Sequence, residues 1–148
     1  EENVKGSAGL KDGLEGSGCE ISWEYNYARG NQNTSEIIAS KKQVDYLVIL
    51  DNWALEEVGE AAEGNKYHGA KIYGVGSSEK TIVLLDNQNI ECLVVPDDYE
   101  TGYMSMNEIA KKLRHSFYKM NSCETEVRII NKEDLYSKDL ERFLYSYE

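Results

Sequence analysis

The chain is poor in positive charge and contains a single proline, two histidines and two phenylalanines. Its 148 residues include 16 Lys and Arg against 27 Asp and Glu, which gives a formal net charge of −11. A nucleic-acid partner requires a basic surface, and anionic membrane surfaces attract the same kind of patch. We therefore expect no nucleic acid to bind through this segment, and no anionic membrane surface to attract it.

Long hydrophobic runs and cysteine pairs are also missing. The best apolar stretch, Val44–Leu50, is interrupted by Asp45 and falls far short of the ~18 residues that a membrane span needs. The first residues contain no apolar signal core, although a chain without an initial Met says nothing about the export of a longer parent. The three cysteines, Cys19, Cys92 and Cys123, have no CxxC spacing. This pattern predicts buried thiols, with no disulfide framework, metal site or cofactor.

Strand and helix patterns alternate along the chain. Apolar runs predict strands at Cys19–Tyr27, Val44–Leu50, Lys71–Gly76, Ile90–Val95 and Thr125–Ile130. Helices are predicted at Val4–Leu14, around Ile37–Ala39, at Trp53–Glu63, from Ser77-Ser78 to about Asp86, at Tyr99–Tyr118 and near Leu140–Leu144. Such alternation predicts one α/β domain over residues 1–148, an open parallel sheet with helices on both faces in a flavodoxin-like α/β/α arrangement.

Polar and aromatic residues follow the predicted strands. In an open α/β sheet the ligand crevice lies beyond the carboxyl ends of the strands. Carboxylates and amides can pair with vicinal hydroxyls, and aromatic faces stack on sugar rings. The sequence therefore predicts a binding site, although Asp51, Ser77 and Asp97 are equally suited to helix capping. The candidates are Tyr27, Arg29, Asp51, Asn52, Trp53, Ser77, Asp97 and Asp98.

Catalytic patterns are not found. Asp51, Asp97 and Asp98 are not placed like the acidic cluster of a receiver domain. His68 and His115 have no serine or cysteine at a recognisable nucleophile spacing. The two glycines of Gly74–Ser78 form neither a dinucleotide fingerprint nor a phosphate loop. We expect a binding protein rather than an enzyme.

Four passages resemble the C-terminal lobe of sugar-binding periplasmic receptors of the ribose-binding class and of lactose-repressor-type effector domains. The segment from Leu10 to Gly18 is similar to that family's opening "GF..GL...G" helix. Val44–Leu55 resembles its strand and "ND..AL" segment, and Lys71–Ser78 resembles its "I.VVGFD.S" strand. The passage Ile90–Tyr103 matches "I.A.VAQ.PYEMGY" most specifically. Together these passages cover nearly the whole chain in the family's order.

The resemblance implies a two-lobed solute receptor of an ABC transporter, of which this chain is the C-terminal lobe. An absent N-terminal lobe would supply half of the ligand contacts, and a hinge would close both lobes on a sugar or sugar-like solute. The tail Val127–Asp134 resembles the segment that returns toward the other lobe. A membrane permease or sensor is the implied partner, and the implied location is periplasmic or extracellular, as a lipoprotein.

Three departures from the family pattern affect the implied site. Many sugar receptors have asparagine, aspartate and glutamine where this chain has Leu50, Gly76 and Pro96. These polar groups grip sugar hydroxyls, and an unpaired buried hydroxyl costs about 1–3 kcal/mol. The departures argue against a simple pentose or hexose bound in the usual way. A rearranged site could use Asp51, Asn52 and Trp53 with the loop that carries Tyr27 and Arg29.

Two alternatives stay open at this point. The same lobe occurs as the effector and dimerisation domain of cytoplasmic repressors, and the three cysteines are compatible with a cytoplasm. The excess of acidic over basic residues favours the exported receptor, because a repressor must approach negatively charged DNA. The lost polar positions also allow a ligand-free interaction domain.

Overall fold

The computed structural model describes residues 2–28, 30, 33–140 and 144. These residues form five α-helices, α1 Glu2–Leu14, α2 Thr34–Ala39, α3 Asn52–Glu60, α4 Glu79–Asp86 and α5 Asp98–Arg114. The same described part of the chain contains four strands, β1 Tyr46–Ile49, β2 Lys71–Val75, β3 Cys92–Pro96 and β4 Val127–Ile130, which alternate with the later helices. Short 3-10 helices at Lys132–Tyr136 and Lys138–Leu140 follow β4. The predicted α/β class is confirmed.

The strands form one open sheet in the order β1-β2-β3-β4. The first three are parallel, but β4 pairs antiparallel with β3, so the sheet is mixed and the prediction of an all-parallel sheet is wrong at this strand. The segment 115–126 returns the chain to the carboxyl end of β3, where the Asp97 N–H donates to the Glu126 carbonyl at 3.0 Å. Because β4 starts at that end, it must run back along β3.

The predicted first strand, Cys19–Tyr27, is not a strand in the structure. Two contacts fix this segment instead: the Trp23 Nε1–H donates to the Lys42 carbonyl at 2.9 Å, and Glu24 pairs with Lys11 of α1 at 2.7 Å. Alternation of apolar and polar residues predicted the strand, but a strand also needs a neighbour to bond with. Among the described residues, the segment has no such neighbour.

The core lies on one face of the sheet, under α3 and α4. Leu55 and Val58 of α3 and Leu85 of α4 are fully buried against side chains of β2, β3 and β4. The alternation of buried and less buried residues along β2 and β3 places every second side chain in this core. The buried strand residues are Leu47, Ile72, Leu93, Val95 and Ile130.

The opposite face is less covered. Its apolar side chains include Tyr46 and Val48 of β1 and Ile129 of β4, which are all exposed. The helix α1 lies beside β1 on this side, where a Cβ on Gly6 would come within 3.3 Å of Leu50 Cδ1. The helix α5 contributes no buried residue.

The spacing of Met106, Ile109 and Leu113 predicts an apolar core side for α5, but this side is not buried. Met106, Ile109 and Leu113 are 64%, 43% and 81% exposed. The periodicity predicted the apolar stripe correctly, but burial also requires a packing partner, and none covers the stripe in the described part of the chain.

Glu108 holds the end of α5 to the loop that follows it. Its carboxylate accepts from the Asn121 backbone N–H at 2.9 Å, from the Tyr118 hydroxyl at 2.9 Å and from Lys111 Nζ at 2.7 Å. The Asn121 hydrogen bond is the largest of the effects that lower the pKa of Glu108 to about 2, followed by the bond from Lys111. Each of these partners favours the charged carboxylate.

We expect Glu108 to make the stability of the protein pH-dependent in acid. An acid whose pKa falls on folding stabilises the folded state above its unfolded pKa, near 4.5, and this contribution is lost as the pH falls through about 2. The difference in melting temperature between the wild type and Glu108→Gln should therefore be largest and constant above pH 4.5, and should shrink as the pH falls toward 2. Parallel profiles across this range would show that the cluster does not contribute to stability.

Candidate functional site

Carboxylates and hydroxyls cap the helices at the carboxyl edge of the sheet. Asp51 accepts from the Ala54 N–H at 3.0 Å and begins α3 directly after β1. Ser78 begins α4 by accepting from the Thr81 N–H at 3.2 Å. Asp97, only 4% exposed, begins α5 by accepting from the Glu100 N–H at 2.8 Å. These caps fix the start of each helix at the end of its strand.

The Asn52 amide links two of these helix starts. Its Oδ1 accepts from the backbone N–H groups of Ser77 and Ser78 at 3.2 and 3.4 Å. Its Nδ2 donates to Glu56 Oε1 at 2.8 Å, and the Ser78 hydroxyl donates to the same oxygen at 2.7 Å. Asn52 therefore ties the end of β2 to the first turn of α3.

A second link joins the ends of β2 and β3. The Ser77 hydroxyl donates to Asp98 Oδ2 at 2.7 Å, across the gap between α4 and α5. Lys80 adds a positive charge next to this edge and pairs with Glu60 at 2.8 Å and Glu56 at 3.7 Å. The edge is thus a connected polar surface that runs from α3 to α5.

Gly76 makes room for this arrangement. A Cβ at this position would lie 2.8 Å from Asn52 Oδ1 and 3.1 Å from Thr81 Cγ2. The aspartate that many sugar receptors have here would displace the Asn52 amide. The Asn52 amide can therefore occupy its position only because residue 76 is a glycine, which has no side chain.

The other two departures lie on the strands themselves or just beyond them. Leu50 directly follows β1 and faces α1 at Gly6. Pro96 ends β3 and pairs with Val127 of β4. Neither position offers a side-chain hydrogen bond to a solute.

The aromatic candidates occupy different surroundings. Trp53, at the first turn of α3, is 51% exposed at the carboxyl edge. Tyr27 lies at the end of the Cys19–Tyr27 segment, half-buried, and lines the same groove as Asp51. Arg29 lies outside the described residues.

The structure brings six of the eight predicted site residues to one edge of the sheet: Asp51, Asn52, Trp53, Ser77, Asp97 and Asp98.

The sequence analysis missed Glu56, which joins Asn52, Ser78 and Lys80. Its side chain is only 12% exposed. A signal was present, because Asn52 and Glu56 are four residues apart and therefore neighbours on a helix surface.

No group of three or more metal-ligating side chains is found within the described residues. In that same part of the chain, no helix has both the length and the apolar character for crossing a bilayer.

A substitution at Asp97 tests whether this carboxylate is more than a cap. Asp97→Ser keeps an oxygen that can accept from the Glu100 N–H, whereas Asp97→Ala removes it. We expect Asp97→Ala to lower the free energy of unfolding by about 1 kcal/mol and Asp97→Ser to lower it less. Urea denaturation measures both values.

If Asp97 is only a cap, Asp97→Ser should also leave unchanged the affinity for any ligand that binds at this edge, as titration calorimetry can show. A large loss of affinity with unchanged stability would instead place the carboxylate in contact with that ligand.

In open α/β sheets, ligands bind in the crevice beyond the carboxyl ends of the parallel strands, where this chain carries the polar side chains just described. The profile of the family described as "periplasmic binding protein domain" matches residues 5–116. The chain belongs to this family. Among curated proteins, no sequence matches it significantly.

Solved structures of three solute-binding proteins share the fold. A carbohydrate transporter solute-binding protein from Agrobacterium radiobacter, in complex with D-arabinose, is 21% identical with a TM-score of 0.76 over 93% of this chain. An ABC transporter solute-binding protein from Agrobacterium vitis, with bound D-fucose, is 14% identical with a TM-score of 0.77 over 94%. The glucose-galactose binding protein GanP from Geobacillus stearothermophilus is 22% identical with a TM-score of 0.61 over 71%.

These structures are longer than this chain. The alignment covers 48%, 50% and 38% of their respective lengths. The chain thus spans about half the length of the first two.

Proposed function

We propose that this chain is the C-terminal lobe of a solute-binding protein that serves an ABC importer. In this proposal its carboxyl edge and an N-terminal lobe enclose a small sugar-like solute between them. Family membership and the likeness to half of each sugar-bound solute-binding protein support it. The role is binding rather than catalysis, as in those relatives.

The observation that carries the proposal is the connected polar edge around Asn52, Ser77 and Asp98. Three helix starts meet there, and their side chains are held by hydrogen bonds of 2.7 to 3.4 Å. Beside them Trp53 offers an exposed indole, whose face can stack on the C–H face of a sugar ring. In the proposed site Asp98 and Ser77 bind hydroxyls, while Asp51 and Asp97 position the helices. Tyr27, which lines one groove with Asp51, completes the site, and Arg29 follows it by two residues in the sequence.

The solute is expected to differ from a plain pentose or hexose held in the common manner. Leu50 and Pro96 supply no polar side chain, and the space at Gly76 is taken by the Asn52 amide. A ligand with fewer hydroxyls, or with an apolar substituent that meets Leu50, fits this edge better. The amide and carboxylate groups would then contact one side of the ligand.

The proposed location is outside the cytoplasm, in a periplasm or anchored as a lipoprotein, with a membrane permease as partner. The solved relatives are transport proteins by description, which favours a receptor over a repressor's effector domain.

A solute screen on the complete, two-lobed protein tests the proposal. We would add pentoses, hexoses, deoxy sugars and short oligosaccharides, and follow both the melting temperature and tryptophan fluorescence. A ligand at a hundred times its Kd should stabilise the protein by about 2.7 kcal/mol, which raises the melting temperature by several degrees. No shift with any solute would contradict the receptor and favour a ligand-free interaction domain.

A further inference from the structure

Helix α5 carries an apolar seam along one side, formed by Tyr99, Tyr103, Met106, Ala110 and Leu113. The spacing alternates between four and three residues, so the five positions lie within about 40° of one line along the helix. The four large side chains of this α5 seam are 63% to 81% exposed. A repeat of 3.5 residues is the pattern by which two helices pack along each other in a coiled coil. The α5 seam is therefore suited to a second helix.

The chain itself covers the opposite side of α5. By the periodicity of the helix, Glu108 lies about 180° from the α5 seam, and its carboxylate accepts from the Tyr118 hydroxyl and the Asn121 N–H, both at 2.9 Å. Lys112, also turned away from the seam, donates from Nζ to the Ser116 and Tyr118 carbonyls at 2.6 and 3.0 Å. These bonds fix the loop after α5 on the far side of the helix, so the loop does not fold over the seam.

The two ends of α5 carry opposite charges. Asp98 and Glu100 lie in its first turn, and Lys111, Lys112 and Arg114 lie in its last turn. A second α5 in the antiparallel orientation would place each acidic end beside a basic end, and the dipoles of the two helices would also oppose each other. The charges of α5 therefore favour a copy of the same helix as its partner.

Glu100 and Arg114 are placed for the closest of these charge contacts. Each directly follows a residue of the α5 seam, Tyr99 or Leu113, so both lie on the same flank of the seam. In an antiparallel pair with two-fold symmetry this flank faces the same flank of the other helix, and Glu100 of each copy meets Arg114 of the other. Within the described residues neither of these two side chains forms an ion pair.

The charge balance of α5 differs from that of the whole chain. A net charge of −11 makes two copies repel each other over most of their surfaces. Residues 98–114, in contrast, contain three acidic and three basic residues, so this helix is neutral. At physiological ionic strength charges are screened over about 8 Å, which means that the local balance decides whether two surfaces can meet. The neutral helix α5 is therefore a surface on which two acidic copies can associate.

We propose that two copies of this protein form a two-fold symmetric dimer in which their α5 helices pack antiparallel along the α5 seam. Tyr103 of each copy packs opposite Leu113 of the other, and the Met106 and Ala110 side chains pack between them at the centre. The two contacts between Glu100 and Arg114 fix the register. A pair of helices of this length buries less than the roughly 1,200–2,000 Å² of a stable interface, so the dimer is reversible, with a dissociation constant on the order of 100 μM.

Sedimentation velocity of the complete protein tests the dimer without any solute. The wild type should pass from the mass of one copy to that of two as its concentration rises from about 1 to about 500 μM. Met106→Glu places two carboxylates at the centre of the seam and should weaken association at least about tenfold. Because the Met106 side chain is 64% exposed in a single copy, this variant should melt like the wild type at the lowest concentration.

Charge reversal tests the antiparallel orientation. Glu100→Arg and Arg114→Glu should each weaken the dimer about fivefold or more, because each opposes two like charges across the axis. The double variant restores both pairs and should return the dissociation constant to within about threefold of the wild type. Lys41→Glu is the control for Arg114→Glu, since it makes the same change in net charge at an exposed position outside α5 and should leave the dimer unchanged.

Four results would overturn the proposal. A wild type that stays monomeric at every concentration has no such dimer, and a dimer that survives Met106→Glu uses another surface. A lower melting temperature of Met106→Glu at the lowest concentration would mean that another part of the complete protein covers the α5 seam. A double variant that stays as weak as the single ones would exclude the antiparallel register. Because no ligand is added, none of these results depends on the proposed solute site.

Discussion

Replacing Leu55 by alanine should lower the free energy of unfolding by about 2–5 kcal/mol, the range for a buried leucine in a close-packed core. Leu55 is fully buried between α3 and the sheet. Its two methyl groups lie over Gly74 of β2, where a Cβ would come within 2.6 and 2.7 Å of them. The contact is so close that removing the leucine leaves a cavity that backbone movement cannot easily fill. Urea denaturation monitored by circular dichroism measures the loss.

A substitution at Gly74 tests the same contact from the side of β2. Gly74→Ala should cost about 1–3 kcal/mol in the wild type because its methyl group collides with Leu55 and lies 2.9 Å from the Ile49 carbonyl. In the Leu55→Ala background the collision with Leu55 disappears. The double variant should therefore lose less than the sum of the two single losses, with a coupling of about 0.5–3 kcal/mol.

Val83→Ala is the matched control for the Leu55 substitution. Val83 is 56% exposed on α4, and its truncation should change stability by no more than about 0.5 kcal/mol. Strict additivity of Leu55→Ala and Gly74→Ala would contradict the close contact between α3 and β2.

Trp53→Ala in the complete protein should weaken solute binding by about 30-fold, the effect of losing roughly 2 kcal/mol from a stacked aromatic contact. The indole is 51% exposed at the carboxyl edge, so about half of its surface is accessible to a ligand. For the same reason its removal should have little effect on the melting temperature. Calorimetric titration and thermal denaturation of the same preparation measure both quantities, with the solute found in the screen as the ligand.

Comparison with Val83→Ala distinguishes the loss of a ligand contact from the loss of packing within the protein. Both side chains are about half exposed, but Val83 lies on α4, away from the carboxyl edge. Val83→Ala should leave both affinity and melting temperature unchanged. If Trp53→Ala lowers affinity and stability together, Trp53 is a packing residue of α3 and the proposed stacking is wrong.

Local patterns in the sequence predicted the elements that build the edge. The apolar runs predicted β1, β2 and β3 to within two residues, and Asp51 and Asp97 cap helices as their residue types predict. At α4 the cap is Ser78, whereas the Ser77 hydroxyl bonds to Asp98. These features depend on residues close together in the chain. The predicted helix Trp53–Glu63 ends earlier, at Glu60, since a turn with Gly64 and Asn65 at positive φ replaces its last residues.

Features that depend on distant neighbours were not predictable in the same way. The direction of β4 is set by the return of segment 115–126 to the end of β3, which no residue of Val127–Ile130 encodes. The alternation of Cys19–Tyr27 satisfies a strand pattern, but pairing requires an adjacent strand. At the expected terminal helix, Lys138–Leu140 is a 3-10 helix and Leu144 is buried, while Phe143 lies outside the described residues.

In the candidate site, too, local sequence predicted some features, whereas others depend on contacts between residues far apart in the chain. Its residues were predicted as individual caps and hydrogen-bonding groups, and the structure adds the three-dimensional relation between them. Asn52 reaches the backbone of Ser77, 25 residues later in the chain, because Gly76 has no side chain. The glycine at position 76 is thus accompanied by a polar group that reaches the end of β2 from the first turn of α3.

The bonds of Asn52 have a consequence for the thermodynamics of binding. Its amide and the Ser78 hydroxyl are already fixed by the Ser77 and Ser78 N–H groups and by Glu56. Side chains immobilised on association cost about 0.5–1.5 kcal/mol each, but here that ordering is completed when the lobe folds. A ligand that docks against this edge would therefore meet a preorganised surface, and the conformational entropy lost on binding would be mainly that of the ligand itself.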